Sequence, residues 1–163
     1  MFDEIFRVEI TAWFELKKNI ARAYIRGLDA QLRLQRPDAP WQLQAALTYT
    51  YGQNTTDREP LRRIPPLFGR LALDFAPGAW SFGAEWLGAD KQDRLAKGDT
   101  EDNRIPKGGT PGWQVLNLHA GYAWRFVSLR CSALNLFNAD YRTHGSGVNG
   151  YGRSAFVTLA LGF

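Results

Sequence analysis

Cysteine is nearly missing from this chain of 163 residues, which holds one, Cys131, together with a single Met and two His. One Cys makes no internal disulfide, and no Cys/His cluster has zinc-ligand spacing, so disulfide-stapled and metal-built folds are excluded. Long apolar runs are missing too: none approaches the ~18 residues of a membrane-crossing helix, and the mean hydropathy is −0.33. A strand-built membrane protein stays open, because alternating strands average to a polar composition. The start, MFDEIFRVEI, puts Asp3, Glu4, Arg7 and Glu9 where a secretory leader needs a basic start and then apolar residues, so no leader is expected there. Nor is charge of one sign clustered. The net charge of +4 comes from Lys and Arg spread among acids along the whole length, without the basic stripe of a nucleic-acid surface, so nucleic acid is not an expected partner.

What the chain has in quantity is period-two alternation, repeated about eight times between turn-rich breaks. In WQLQAALTYTY, Trp41, Leu43, Ala45, Leu47, Tyr49 and Tyr51 share one face, and Gln42, Gln44, Ala46, Thr48 and Thr50 share the other. The same division separates Leu28, Ala30, Leu32 and Leu34 from Asp29, Gln31, Arg33 and Gln35. It recurs over Phe6–Phe14, Leu67–Phe75, Trp80–Trp86, Leu116–Trp124, Val127–Ala133 and Ala155–Phe163. A helix would mix these sets. The expected fold is therefore all-β, an antiparallel up-and-down meander of about eight strands. It would form one segment over residues 1–163, either part of a transmembrane β-barrel or closing as a small one.

The connections alternate in length. Residues 36–40, 77–79 and 124–126 are tight, whereas 52–66, 89–112 and 139–153 are long and polar, with a shorter link at 15–21. Short turns on one rim and long loops on the other are the asymmetry of an outer-membrane barrel. Aromatics gather near both rims: Trp41, Phe75, Trp80, Trp124, Phe126 and Phe163 beside the tight turns, and Phe14, Tyr51 and Trp86 toward the long loops. Such girdles suit rings lying at lipid headgroups, and outer-membrane lipid is the expected surroundings. Asp29, Arg33, Arg70, Asp74, Glu85 and Arg130 fall on the polar face. Arg22 and Arg26 share the parity of Leu28 instead, and Trp113 and Val115 lie opposite to Leu116; a bulge beside Gly27 would reset the first pair.

No catalytic constellation emerges. Gly147–Gly152 leads into a strand rather than a helix, so it is no phosphate loop, and Ser146 is no nucleophile elbow. Acid pairs such as Asp57 with Glu59, or Glu101 with Asp102, are expected to be solvated. His119, on a polar strand face, is expected to be hydrogen-bonded inside the barrel. The glycine-rich loop after Ala139 offers Tyr141, Arg142, His144 and Asn149 as candidate ligand contacts, with Arg142 suited to anionic groups and His144 to iron or haem. Neither a resident metal nor a cofactor is expected.

Three sequence features together resemble one family. Arg26-Gly27-Leu28-Asp29, Arg62-Arg63-Ile64-Pro65-Pro66 and Asn135-Leu136-Phe137-Asn138-Ala139-Asp140-Tyr141 follow in the order in which the C-terminal end of a TonB-dependent outer-membrane receptor carries R-G-x-[DE], R-R-I-P-P and N-L-F-[ND]-x-x-Y. The resemblance implies a Gram-negative outer-membrane location, long loops outside, and a share in a far larger barrel whose plug domain is absent from these residues. It also implies uptake of a ligand of iron-siderophore, haem or cobalamin type. Contact with the TonB complex would come only through the missing plug. Leu161 and Phe163 resemble the aromatic-ended signal read by the barrel assembly machinery, although Phe156 and Thr158 depart from it. Two further readings remain at this point: an independent eight-stranded membrane barrel with a structural or adhesive role, and a soluble lipocalin-like binding barrel with Trp41, Leu43 and Leu47 inside.

Overall fold

A computed structural model describes residues 5–19 and 21–162, with side chains over 7–15 and from 22 onward. Alternating β-branched, aromatic and aliphatic residues make it an almost wholly antiparallel sheet. The strands are β1 (Ile5–Asn19), β2 (Ala21–Gln35), β3 (Trp41–Asn54), the two-residue β4 (Glu59–Pro60), β5 (Phe68–Phe75), β6 (Trp80–Ala89), β7 (Trp113–Trp124), β8 (Val127–Leu134) and β9 (Ser154–Leu161), with one short helix, α1 (Lys97–Thr100), between β6 and β7. Apart from β4, a side branch on β3, the strands pair in sequence order, β1-β2-β3-β5-β6-β7-β8-β9. This is the expected meander. Among the described residues the sheet stays open, with β1 at one edge and β9 at the other, so closure as a small barrel is not observed.

Two expectations about β1 and β2 are corrected. The link expected at 15–21 is strand at 15–19 and at 21: pairing continues from Ile5↔Gln35 to Asn19↔Ala21. No bulge interrupts it either, since Trp13↔Gly27 and Phe14↔Arg26 are successive pairs. Arg26 therefore keeps its place on the apolar face. Gly27 serves a different purpose, because the Trp13 ring crosses over it: a Cβ there would lie 2.6 Å from Trp13 Cζ2 and 2.8 Å from the Tyr49 carbonyl. The Trp13 indole N–H then donates to Asp29 at 3.1 Å on the polar face.

The two faces differ as their sequences require. Leu47, Tyr49, Leu71, Leu73, Trp86, Leu118, Leu129, Val157 and Leu161 stand exposed on the apolar face, a continuous greasy surface far larger than a water-soluble domain tolerates. On the other face the polar side chains bond across strands. Arg70 donates to Glu85 at 2.7 Å and to Gln44 at 3.2 Å, and Asn117 donates to Glu85 at 3.0 Å. His119 Nε2 lies 3.4 Å from Asp74, over Gly83, where a Cβ would come within 2.0 Å of the ring.

Trp113 and Val115 belong to this second face, not to a shifted register. Pairing of β6 with β7 is continuous from Trp80↔Tyr122 to Ala89↔Trp113. Val115 is only 2% exposed, because the long loops fold over that end of the sheet. The buried residues Ile64, Gln92, Ala96, Asp99, Ile105, Thr110 and Asn135 all lie in or beside those loops. The core of the described chain is thus at the long-loop rim, while the strands present one apolar and one polar face.

Candidate functional site

The long-loop rim is where side chains from distant parts of the sequence meet. Arg62 and Arg63 come from the loop before β5, Asp99 and Asp102 from the loop around α1, and His144 from the loop before β9. Arg63 takes a left-handed backbone (φ 56°), which turns the chain so that its N–H points at Asp99. That N–H donates to both carboxylate oxygens, at 3.3 and 3.2 Å, and the Ala96 N–H donates to the same group at 3.3 Å. Arg62 Nε approaches it at 3.6 Å. Ile64 inserts beneath, where Gly52 leaves room: a Cβ at Gly52 would lie 2.6 Å from Ile64 Cδ1. Its carbonyl accepts from the Gln92 amide at 2.8 Å.

Asp102 gathers three guanidiniums. Arg104 donates to it at 2.6 Å and Arg63 at 3.2 Å, and Arg62 lies 3.7 Å away. Its side chain is 6% exposed, so the expectation that Asp102 is solvated is overturned. Glu59 is also engaged, accepting from the Lys97 N–H at 3.0 Å, and Asp57 accepts from Asn54 at 2.7 Å. The arginines keep a face to solvent, with side-chain exposures of 55% for Arg62 and 49% for Arg63.

The third loop closes on this cluster. Its anchor is Asn135, left-handed at φ 49° and 1% exposed. The Asn135 amide donates to the carbonyls of Ala139 and Tyr151 and its oxygen accepts from the Ala139 N–H, each at 2.8 Å. Asn138, also left-handed, accepts from the Arg153 N–H at 2.9 Å. Asn tolerates this backbone better than other non-glycine residues, which explains the two Asn of the Asn135–Asn138 motif.

The four loop candidates occupy distinct places. Tyr141 rests on Trp113, ring centroids 4.7 Å apart, and covers Gly150, where a Cβ would strike its ring at 2.1 Å. Arg142 donates to Asn149 at 2.7 Å, and Asn149 donates to Asp140 at 3.1 Å, tying the loop across itself. His144 reaches the neighbouring loop, Nδ1 lying 2.8 Å from the Thr110 hydroxyl, and its Nε2 is buried without a hydrogen-bond partner. Sequence periodicity missed Asp99, Asp102, Gln92 and Asn135. Among the described residues no group of three or more His, Cys, Asp or Glu is placed to hold a metal ion.

Burial holds the His144 imidazole below its ordinary pKa of 6.5, outweighing the upward pull of Asp99 and Asp102. An unfolded loop takes up the proton at the ordinary value, the folded one only at lower pH. The loop cluster is therefore fully stabilised above that value and loses stability as pH falls toward the folded pKa. Amide exchange at Gln92 and Thr110 is expected to quicken from pH 7 to pH 5 beyond the intrinsic pH dependence, and His144→Asn to abolish the excess. Identical profiles for the two proteins would refute this.

At the two rims, Trp80 packs tilted against Tyr122, centroids 4.6 Å apart, beside a tight turn, and Trp41 pairs with Phe75. Trp124 lies at the same rim with Arg125 over its ring at 5.0 Å. Trp86 covers Gly69 and Gly88 and directs its N–H to Gln114, 3.3 Å away, toward the long loops. Leu161 is exposed on β9. Phe163 lies outside the described residues.

An apolar outward face, a hydrogen-bonded polar inner face, aromatic rims and one elaborated loop rim define part of the wall of a transmembrane β-barrel. The chain belongs to the family described as TonB dependent receptor-like, beta-barrel, whose sequence model matches residues 3–138. Among solved structures it is similar to one titled "Copper transporter OprC" (TM-score 0.79, 23% identity), covering 99% of this chain and 29% of that one. It is also similar to the ferric-catecholate import receptor Fiu from E. coli K12 in its closed form (TM-score 0.66, 20% identity), covering 94% of this chain and 25% of the other. The chain thus spans less than a third of either. No curated protein matches its sequence. Barrels of this family lie in the outer membrane of Gram-negative bacteria and serve receptor and transport functions, which sets aside the lipocalin-like reading.

Proposed function

We propose that this chain supplies part of the wall and the external ligand-receiving loops of a receptor that takes up an anionic metal chelate, of the ferric-siderophore kind. The carrying observation is the clustering of Arg62, Arg63 and Arg104 around Asp102, three half-exposed guanidiniums against that carboxylate and Asp99. A positive surplus on a preformed loop surface attracts anions and offers the planar donors that catecholate and carboxylate oxygens accept. Tyr141, Arg142, His144 and Asn149 form the adjoining part of the same surface. The name of Fiu makes a ferric catecholate the first ligand to try; haem and cobalamin share less of this charge logic. A bare copper ion fits less well: cuprous sites draw on Cys and Met, of which the chain has one each, and cupric sites on clustered His and carboxylates, of which no group of three is placed together among the described residues. Energy coupling would enter through a plug and its TonB contact, and Leu161 with Phe163 would present the assembly signal.

The test is quenching of tryptophan fluorescence, Trp113 lying against the loop cluster, in the full-length protein titrated with a ferric tris-catecholate complex. Saturable quenching is expected, weakened about tenfold in the Arg62→Gln, Arg63→Gln double variant, as for loss of two partly screened charge contacts. Cupric ion should not saturate. Equal affinity in the double variant, or tighter binding of cupric ion than of the chelate, would rule the reading out.

A further inference from the structure

The arginine that breaks the inside-outside pattern sits in a place that explains it. Arg26 pairs in register with Phe14 on β1 and Tyr51 on β3, both on the apolar face. Its guanidinium lies 4.8 Å from the Tyr51 ring centroid. A second guanidinium, that of Arg94 from the loop after β6, lies over the same ring at 3.9 Å, held by a bond to Gln53 at 3.1 Å. Phe14, Tyr24 and Tyr51 form a stacked row beneath, with successive centroids 6.0 Å apart. Among the described residues neither arginine has a carboxylate partner.

The depth of this cluster follows from strand geometry. Tyr51 is ten residues beyond Trp41 on β3, about 33 Å along a strand at its usual rise. With the tilt usual for membrane barrels, that is about 25 Å of height, the thickness of their apolar band. Trp41 marks the tight-turn interface, so Tyr51 marks the opposite one. Two guanidiniums over one ring, Arg94 giving one N–H to Gln53 and keeping the rest, Arg26 giving none to a side chain among the described residues, repel each other unless an anion sits between them.

We infer that Arg26 and Arg94, on their Tyr51 platform, bind the phosphate of a phosphorylated lipid headgroup in the leaflet at the long-loop rim. The guanidinium fork matches phosphate oxygens, and the Phe14–Tyr24–Tyr51 row lies where the headgroup joins its acyl chains. This site faces lipid, away from the loop surface proposed for the transported ligand, and it depends on the barrel's insertion in a membrane but not on the identity of that ligand.

The experiment uses the full-length protein in an uncharged maltoside detergent and phosphatidic acid with a pyrene-labelled acyl chain, read by energy transfer from tryptophan. Phosphatidylcholine with the same label is the control, and unlabelled inorganic phosphate the competitor. Wild type should prefer phosphatidic acid, and Arg26→Gln with Arg94→Gln should weaken its binding about 25-fold, about fivefold for each basic residue at a charged lipid surface. Arg26→Lys with Arg94→Lys, which keeps both charges and loses the planar fork, should fall between wild type and the glutamine pair. If the glutamine pair does not fold, Tyr51→Leu, which keeps both charges, should still cost about threefold through the lost cation–ring contacts. Wild-type affinity in either variant overturns the inference, as does equal binding of the two lipids. So does displacement by inorganic phosphate at the concentration at which phosphatidic acid itself competes, since that would make the site one for free phosphate.

Discussion

Replacing Asp99 by Ala is expected to open the loop cluster by about 3 kcal/mol, read as exchange of the Arg63 and Ala96 amides quickened about a hundredfold. The carboxylate is 1% exposed. It accepts two backbone N–H groups and faces Arg62 at 3.6 Å. Alanine leaves both donors without an acceptor in a site that water does not reach, and removes the charge that balances Arg62. Charge-assisted bonds of this kind contribute roughly 1.5 to 3 kcal/mol each, and the half-exposed Arg62 adds little through solvent. Asp99→Asn retains one acceptor oxygen and should lose less than half as much. The loss is local: β5 and β6 keep their pairing, so circular dichroism should remain that of a β-sheet. Arg63 and Ala96 amides that exchange at wild-type rates in Asp99→Ala would show that the loops are held by other means.

The sheet was largely legible in the sequence, and the loop cluster was not, for one physical reason. Along a strand, each side chain's surroundings are set by its own parity, lipid on one side and the barrel interior on the other, so Leu47 and Gln44 declare themselves locally. In the loops, surroundings are set by partners far along the chain. Asp99 is buried because Arg63, 36 residues earlier, turns its N–H toward it, and no periodicity encodes that meeting. Trp113 and Val115 misled for a related reason: the inner face changes from polar wall to loop-covered core within one strand. Arg26 broke the pattern toward the long-loop end of β2, and strand continuity, not a bulge, is what the register shows. The ends of β1 and β2 were set short because 15–21 lacks clean alternation, while the pairing of neighbouring strands carries it through. The Arg62–Pro66 and Asn135–Tyr141 motifs pointed to the family before their work was visible: each contains a left-handed residue, Arg63 or Asn135, that aims polar groups into the loop core.

Asn135→Ala should be the most damaging single change in the third loop, with an expected cost of about 4 kcal/mol. Three bonds of 2.8 Å disappear together: the amide's donations to Ala139 and Tyr151 and the oxygen's acceptance from the Ala139 N–H. Each buried backbone group left unpaired costs roughly 1 to 3 kcal/mol. Alanine also pays about 1 kcal/mol to stay in the left-handed region, where Asn is tolerated. Asn135→Gly separates the two contributions, because glycine relieves the backbone strain and restores none of the bonds, so it should recover only about 1 kcal/mol. Asn135→Asp should behave like alanine or worse, since a carboxylate would face the two carbonyls that the amide now serves. The measurement is limited proteolysis within residues 139–153 together with the denaturant midpoint of the folded protein in detergent. The alanine variant should be cut there while wild type resists, and the pairing of Ser154 with Leu134 at the start of β9 should loosen next. Resistance equal to wild type in the alanine variant would mean that Tyr141 on Trp113 and the Arg142–Asn149 bond suffice to hold the loop, and that Asn135 is not its anchor.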